Sequence, residues 1–273
     1  MTLLSPTITL RSGTEIPRIG LGVFRASPED TRSAVLDALR IGYRHIDTAR
    51  VYQNEDAVGA AIRESGVPRS EVFVTTKLWN DDQGYDRTMR AFNASLLRMG
   101  FDYVDLYLLH WPVPGRRLDS WRALEEIHAS GRAKAIGISN FQDRHVEELL
   151  SHCKIIPHVN QMEISPFLQQ RAVRAVCQRA EIAVEAYSPL TKGYRLGHAA
   201  ITKVASRLQK SPAQVLVRWG LEQGLVVLPK STKAERIKEN AAVFDFELDA
   251  DSRSELDALE EGLVTGWDSR PVP

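Results

Sequence analysis

Four side chains that could carry out acid chemistry lie at the ends of successive predicted strands. Asp47 ends one strand, and Tyr52 follows it by five residues, at the start of the next helix. Lys77 follows the next strand and His110 a third. A phenol is a poor acid at neutral pH, and a nearby ammonium lowers its pKa by favouring the phenolate. A carboxylate can hold that ammonium, and an imidazole can donate a hydrogen bond to a carbonyl oxygen. Together these groups suit protonation of an oxygen that gains negative charge.

The elements that must position these side chains form a repeating pattern. Short apolar runs alternate eight times with longer amphipathic runs, which predicts a (β/α)8 TIM barrel, an α/β fold with a parallel sheet inside and helices outside. The predicted strands are residues 19–21, 43–47, 72–76, 103–109, 135–138, 155–160, 182–186 and 225–228. The predicted helices are residues 28–39, 55–65, 85–99, 120–130, 143–151, 169–179, 199–209, 212–223 and 234–241.

Residues typical of turns and of helix ends lie between these runs and support the same arrangement of elements. Residues 7–10 and 15–17 flank a turn and predict a β-hairpin that plugs the N-terminal mouth of the barrel. Ser27 and Ser211 each precede a proline, as at a helix start. Glycines that follow helical runs predict helix ends at Gly42, Gly66, Gly100, Gly131 and Gly224. No linker interrupts the pattern, so we expect one barrel domain over residues 1–273, with an irregular tail from residue 262.

The active site of such barrels lies at the C-terminal ends of the strands. Neighbouring strands are about 4.8 Å apart, so the four side chains can form one cluster there. His45 and Asp47 also face the same side of a strand, which is a pattern that a metal-dependent barrel hydrolase could use. No further set of histidines and carboxylates follows the later strands, so we predict no metal and interpret His45 as a packed core residue.

Composition limits the classes of partner. Lys and Arg number 35, as do Asp and Glu, so the net charge is zero and predicts no nucleic-acid or membrane partner. No apolar run approaches the ~20 residues of a membrane span, and the N-terminus lacks the pattern of a secretory signal. Cys153 and Cys177 have no CxxC neighbour and are expected to be reduced thiols. These features favour a cytoplasmic protein, and nothing indicates an obligate interface, so we expect a monomer.

Basic residues follow the eighth predicted strand, at the corner where TIM barrels bind phosphate. Lys230 and Arg236 could clamp an anion there, and backbone N–H groups at a helix start would help. A solvated basic loop over residues 230–233 is the alternative interpretation. No GxGxxG motif follows the first strand, which excludes a Rossmann dinucleotide site.

Nine stretches along the chain resemble, in order, those of the aldo-keto reductases. They are IPRIGLG at 16–22, GYRHIDTA at 42–49, YQNE at 52–55, TTKLW at 75–79, DYVDLYLLHWP at 102–112, IGISNF at 136–141, NQME at 160–163, AYSPL at 186–190 and LPKS at 228–231. Each is weak alone, whereas the ordered set is specific and covers nearly the whole chain. The similarity is greatest to bacterial and protozoal members such as the diketogluconate reductases, because the loops and the tail are short.

The resemblance implies a cofactor, NADPH/NADP+, and catalytic roles for the strand-end residues. Tyr52 is then the proton donor, Lys77 lowers its pKa, Asp47 supports the lysine and His110 orients the substrate carbonyl. Tyr187 would stack on the nicotinamide, with Ser139, Asn140 and Gln161 at its carboxamide. The other cofactor contacts implied are Gly22, Val23, Phe24, Asp47, Ser188, Leu190, Lys230, Ser231, Thr232, Arg236, Glu239 and Asn240.

Aromatic residues at the rim predict the substrate side. Phe24, Trp79 and Trp111 could wall an apolar mouth beside Tyr52 and His110. Residues 268–273 of the tail give no substrate signal, so we expect an open site that accepts small aldehydes, α-dicarbonyls, quinones or keto sugars. The predicted function is NADPH-dependent reduction of aldehydes and ketones to alcohols. The alternative is a barrel that binds NADP(H) without turnover and serves a regulatory or structural role.

Overall fold

The computed structural model describes residues 5–273, and these begin with a β-hairpin. Strands β1 (Thr7–Thr9) and β2 (Glu15–Pro17) pair in antiparallel register. Leu10 and Ile16 of the hairpin are buried in an apolar cluster with residues from the starts of the barrel strands, among them Phe73. The hairpin therefore closes the N-terminal mouth of the barrel, as predicted.

Eight parallel strands then form one sheet in sequence order. They are β3 (Leu21–Gly22), β4 (His45–Asp47), β5 (Phe73–Leu78), β6 (Val104–Leu109), β7 (Ala133–Ser139), β8 (Val159–Glu163), β9 (Ala183–Tyr187) and β10 (Val226–Leu228). The sheet curves until its edges meet, where parallel bridges join Ile19 to Val227 and Gly22 to Lys230. The predicted (β/α)8 barrel is confirmed.

Helices pack around the sheet and bury their apolar faces against it. They are α1 (Pro28–Ile41), α2 (Glu55–Glu64), α3 (Tyr85–Met99), α4 (Arg117–Ala129), α5 (Asp143–Leu150), α6 (Arg171–Arg179), α7 (Ala199–Leu208), α8 (Pro212–Glu222), α9 (Ala234–Ala241) and α10 (Ala250–Asp257). Ser27 and Ser211 cap α1 and α8 as expected. None of the helices between residues 5 and 273 is long and apolar enough to cross a membrane.

Most elements agree with the sequence-based expectation to within about three residues at each end, and two differ more. Strand β8 covers residues 159–163 instead of 155–160, because Ile155 and Ile156 pack against the core from a loop whose backbone bonds to α4 side chains. Helix α10 has no counterpart in the prediction. Its sequence is mostly polar and buries only Ser252 and Leu256, so it carries little apolar periodicity.

Candidate active site

Three strand ends and one short turn bring the predicted catalytic side chains together. Asp47 ends β4, Lys77 lies next to the end of β5, and His110 directly follows β6. Tyr52 does not lie at the start of α2, as the sequence suggested. A single 3-10 turn over Arg50–Tyr52 carries it, and Gln53, in the left-handed conformation, separates that turn from the helix. The turn places the phenol above the strand ends.

Lys77 is the centre of this cluster and is fully buried. Its Nζ donates to both oxygens of Asp47, at 2.7 and 2.8 Å, and to the carbonyl of Thr48 at 3.0 Å. The same nitrogen lies 3.5 Å from the hydroxyl oxygen of Tyr52. A buried charge is tolerated only when it is paired and hydrogen-bonded, and these three partners meet that need.

The pKa of Tyr52 differs from the sequence-based expectation. Burial raises this pKa well above its ordinary value, the negative charge of Asp47 raises it further, and Glu185 acts in the same direction whenever it is ionised. The expectation that Lys77 lowers this pKa is therefore wrong, because burial has the larger effect and Asp47 engages the ammonium at shorter distances than Tyr52 does. Tyr52 is therefore a protonated phenol at neutral pH, which is the form a proton donor needs.

His110 completes the polar cluster in an aromatic setting. Its ring meets those of Tyr52 and Trp79 edge-on, with centroids 5.8 and 5.3 Å away. Burial lowers the pKa of His110 well below its usual value, and the charge of Lys77 acts in the same direction. The imidazole is therefore neutral at pH 7, and a neutral imidazole has one N–H to donate to a substrate oxygen.

A cavity of about 790 Å³ opens at this cluster and runs along the strand ends to the start of α9. At one end it is lined by Tyr52, His110 and Trp111. Predicted cofactor residues line the rest, and these are Gly22, Phe24, Asp47, Asn140, Gln161, Tyr187, Ser188, Leu190, Lys230, Ser231, Arg236, Glu239 and Asn240.

Five predicted site residues lie outside the lining of this cavity. Lys77 is buried behind Tyr52, and Val23 and Ser139 are buried beneath the surface. Thr232 is half-buried beside Ser231, and Trp79 stands at the mouth against His110. These residues can support the cavity wall without forming part of it.

Sequence reasoning missed several residues of the cavity. Arg25 lines it beside Phe24, and so does the start of α8. Arg25, Lys230 and Arg236 are exposed and have no acidic partner within 4.0 Å among residues 5–273. Unpaired cations along one groove are the expected setting for phosphate groups. The sequence feature that could have indicated Arg25 is its position three residues after the first barrel strand, beside Phe24.

The C-terminal tail closes one side of the mouth, which corrects the expectation of an open site. Trp267 lines the cavity, is 60 % exposed, and lies 6.0 Å from the rings of both Trp79 and Trp111. Glu163 fixes this part of the tail by accepting bonds from the backbone N–H groups of Thr265 and Gly266. The sequence feature that could have indicated this contact is Trp267, the one aromatic residue of the tail.

A metal centre has no basis among the described residues. No group of three or more His, Cys, Asp or Glu side chains between residues 5 and 273 is placed to hold an ion. His45 is fully buried and bonds to Pro17 and Thr75, in agreement with a packed core residue. Cys153 and Cys177 are free thiols.

Comparison with known proteins agrees with this architecture. The profile of the "Aldo/keto reductase family" matches residues 18–261. An aldo-keto reductase of Mycolicibacterium smegmatis is 48% identical over 269 residues, which are 98% of each chain. The glyoxal reductase of Bacillus subtilis is 48% identical over 266 residues, covering 97% of this chain and 96% of its own.

A solved structure is similar to this protein over nearly its whole length. The crystal structure of a Bombyx mori aldo-keto reductase in complex with NADP has a TM-score of 0.92 and 36% sequence identity, covering 97% of this chain and 95% of its own. The matched residues include all eight barrel strands and the strand-end cluster around Lys77. The chain therefore belongs to the aldo/keto reductase family.

Proposed function

We propose that the protein is an NADPH-dependent reductase of small carbonyl compounds in which Tyr52 delivers the proton. NADPH, when bound, supplies the hydride that reaches the carbonyl carbon. One observation carries the proposal. The phenol of Tyr52, the ammonium of Lys77 and the neutral imidazole of His110 meet at one end of a groove whose other end presents the unpaired cations Lys230 and Arg236.

The cluster assigns a role to each polar group. Tyr52 donates its proton to the carbonyl oxygen as negative charge develops there. The ammonium of Lys77, 3.5 Å from the phenol oxygen, stabilises the phenolate that remains. Asp47 holds Lys77 in position through both of its oxygens. The N–H of His110 binds the same carbonyl oxygen and orients the substrate.

The groove offers donors and charges that fit a nicotinamide dinucleotide. The hydroxyl of Tyr187 donates to Asn140 at 2.7 Å, which holds the phenol ring against the cavity as a platform for the nicotinamide. Asn140 and Gln161 would hold its carboxamide, with Ser139 packed behind them. Arg25, Ser188 and Leu190 would approach the pyrophosphate. Lys230, Ser231 and Arg236, with Thr232 beside them, would hold the 2′-phosphate, and Glu239 and Asn240 border the adenine.

Aromatic walls support small and moderately apolar carbonyl substrates. Phe24 packs on Tyr52 with ring centroids 5.0 Å apart, and Trp79, Trp111 and Trp267 form the opposite wall. An apolar mouth with a few convergent polar groups is typical of small-molecule sites. We propose aldehydes and α-dicarbonyls as substrates, and the relative named glyoxal reductase supports glyoxal as a first test.

A panel of carbonyls tests the proposal. Purified protein is mixed with NADPH and, separately, glyoxal, methylglyoxal, an aromatic aldehyde and a quinone, and NADPH oxidation is followed by absorbance. We expect turnover of at least one aldehyde and its loss in Tyr52→Phe. NADPH binding with no turnover of any carbonyl would favour the alternative of a non-catalytic NADP(H)-binding barrel.

A further inference from the structure

A second carboxyl group lies inside the barrel just below the proposed catalytic cluster. Glu185, in the middle of β9, is fully buried and pairs in register with Gln161 on β8. Its Oε2 accepts from Nε2 of Gln161 at 2.6 Å, and the same nitrogen donates to Oδ2 of Asp47 at 2.8 Å. One amide therefore joins Glu185 to the carboxylate that holds Lys77.

The other oxygen of Glu185 faces a histidine nitrogen. Among residues 5–273, Oε1 has no other hydrogen-bond partner, and Nε2 of His45 lies 3.4 Å from it. Nδ1 of His45 lies 3.3 Å from the carbonyl oxygen of Pro17, which can only accept, so Nδ1 carries the ring hydrogen. Nε2 then presents a lone pair to two groups, the hydroxyl of Thr75 at 3.3 Å and Oε1 of Glu185 at 3.4 Å. An ionised carboxylate would repel this lone pair, whereas a carboxylic acid O–H would bond to it.

The balance of buried charge also favours the protonated, neutral form of Glu185. Groups from every neighbouring element face Glu185: Asp47 and His45 on β4, Lys77 on β5, Tyr52 on its turn and Gln161 on β8, while β10 offers the apolar Val226. His45 is neutral, because burial lowers its pKa to about 3. One cation therefore faces two carboxyl groups, and ionising both would leave an uncompensated buried charge.

We propose that Glu185 is a positioning residue of the reductase site: it stays a neutral carboxylic acid, donates from Oε1 to Nε2 of His45, and accepts at Oε2 from Gln161. Asp47 is then the only carboxylate that Lys77 must neutralise. The role of Glu185 in turnover rests on the proposed function, whereas its protonation does not. Burial, reinforced by the charge of Asp47, raises the pKa of Glu185 to about 8, in agreement with this state.

Two consequences follow for the site. Both N–H bonds of the Gln161 amide are used within the barrel, which leaves its oxygen to face the cavity as an acceptor. When Glu185 loses its proton to solvent, the new negative charge raises the pKa of Tyr52 and opposes proton delivery. Carbonyl reduction should therefore fall as the pH rises through about 8.

Infrared spectroscopy tests the protonation directly and without turnover. Spectra of the full-length protein are recorded as the pH is raised, and the carbonyl stretch of a protonated carboxyl group is followed. We expect this band in the wild type at neutral pH, its loss as the pH rises through about 8, and its absence from Glu185→Gln. Glu55→Gln is the matched control, because that buried carboxylate is ion-paired with Arg98 and its replacement should leave the band unchanged.

The pH profile of turnover separates positioning from mere packing. The amide of Glu185→Gln can make both bonds of the neutral acid, so this variant should keep neutral-pH turnover and lose the decline near pH 8. Glu185→Ala should lower kcat about ten-fold or more at neutral pH. If Glu185→Gln does not fold, two other infrared measurements test the proposal. One is the loss of the band in the wild type as the pH rises, and the other is a shift of the same band in His45→Gln. A wild type without the band, or matching profiles for wild type and Glu185→Gln, would overturn the proposal, whatever Tyr52→Phe does.

Discussion

The ammonium nitrogen of Lys77 lies 3.5 Å from the hydroxyl oxygen of Tyr52. The distance is at the outer limit of a hydrogen bond, because both oxygens of Asp47 hold the ammonium more tightly. The phenol therefore starts as a neutral donor with a raised pKa. The cation beside it favours the phenolate that proton transfer creates, so the lysine acts on the product of that step more than on the resting tyrosine.

Breaking the buried ion pair should destabilise the fold as well as the chemistry. Lys77→Met leaves the Asp47 carboxylate buried without its cation, and we expect the free energy of unfolding to fall by about 3–5 kcal/mol. The double variant Lys77→Met/Asp47→Asn should recover more than half of that loss, because no unpaired charge remains, yet stay inactive. Urea unfolding and kcat measure the two effects. A single variant as stable as the wild type would contradict this account of the pair.

Cofactor preference should depend on two cations of the groove. Lys230→Ala and Arg236→Ala should each weaken NADPH binding about ten-fold or more, because each removes a charge-assisted contact to the 2′-phosphate. NADH lacks that phosphate, so its affinity should not change. Lys233→Ala is the control, since Lys233 is exposed but does not line the cavity. Dissociation constants follow from quenching of protein fluorescence, and an equal loss for both cofactors would count against a 2′-phosphate contact.

The tail tryptophan should affect substrate size selection. Trp267→Ala removes one aromatic wall, so KM for an aromatic aldehyde should rise about two- to ten-fold while that for glyoxal changes little. Leu97→Ala, a change at an exposed apolar residue of α3 that does not line the cavity, is the control. Steady-state kinetics with both substrates make the comparison. The same change in KM for glyoxal and for the aromatic aldehyde would show that Trp267 does not select substrates by size.

Acid should destabilise the protein through His45. Burial lowers its folded-state pKa to about 3, whereas the unfolded imidazole titrates near 6.5. The unfolded state therefore binds more protons in this range, and stability that is complete above pH 6.5 is lost as the pH falls toward 3. We expect a loss of a few kcal/mol in urea unfolding. His45→Gln should flatten this dependence, and the exposed His152→Gln should not. An unchanged slope in His45→Gln would refute the assignment.

Much of this site could be predicted because the ends of the strands can be recognised in the sequence. Asp47, Lys77 and His110 stand where apolar strands stop, and parallel strands bring their C-terminal ends to one rim. The structure confirms that they meet. The sequence also predicted Lys230 and Arg236 as residues of the cofactor groove, and both line the cavity, from the loop after β10 and from α9. Their contact with a phosphate stays a prediction.

The rest of the fold and of the site depends on contacts between residues that are distant in sequence, and no local sequence pattern indicates these contacts. Strand β8 was misplaced because Asn160, Gln161 and Glu163 are polar yet buried, which hides a strand from an apolar-run criterion. Glu185 looked like one polar residue in an apolar run. Its importance appears only when Gln161 and His45, distant in sequence, are brought against it.

Single-turnover reduction by Tyr52→Phe tests the central claim most directly. Protein loaded with NADPH is mixed rapidly with glyoxal, and NADPH oxidation is followed in one turnover, with NADPH affinity measured in parallel. We predict a rate about 10²–10⁴-fold below the wild type, because the phenyl ring has no proton to give, and an unchanged affinity for NADPH. A variant that oxidises NADPH at the wild-type rate would show that another group delivers the proton.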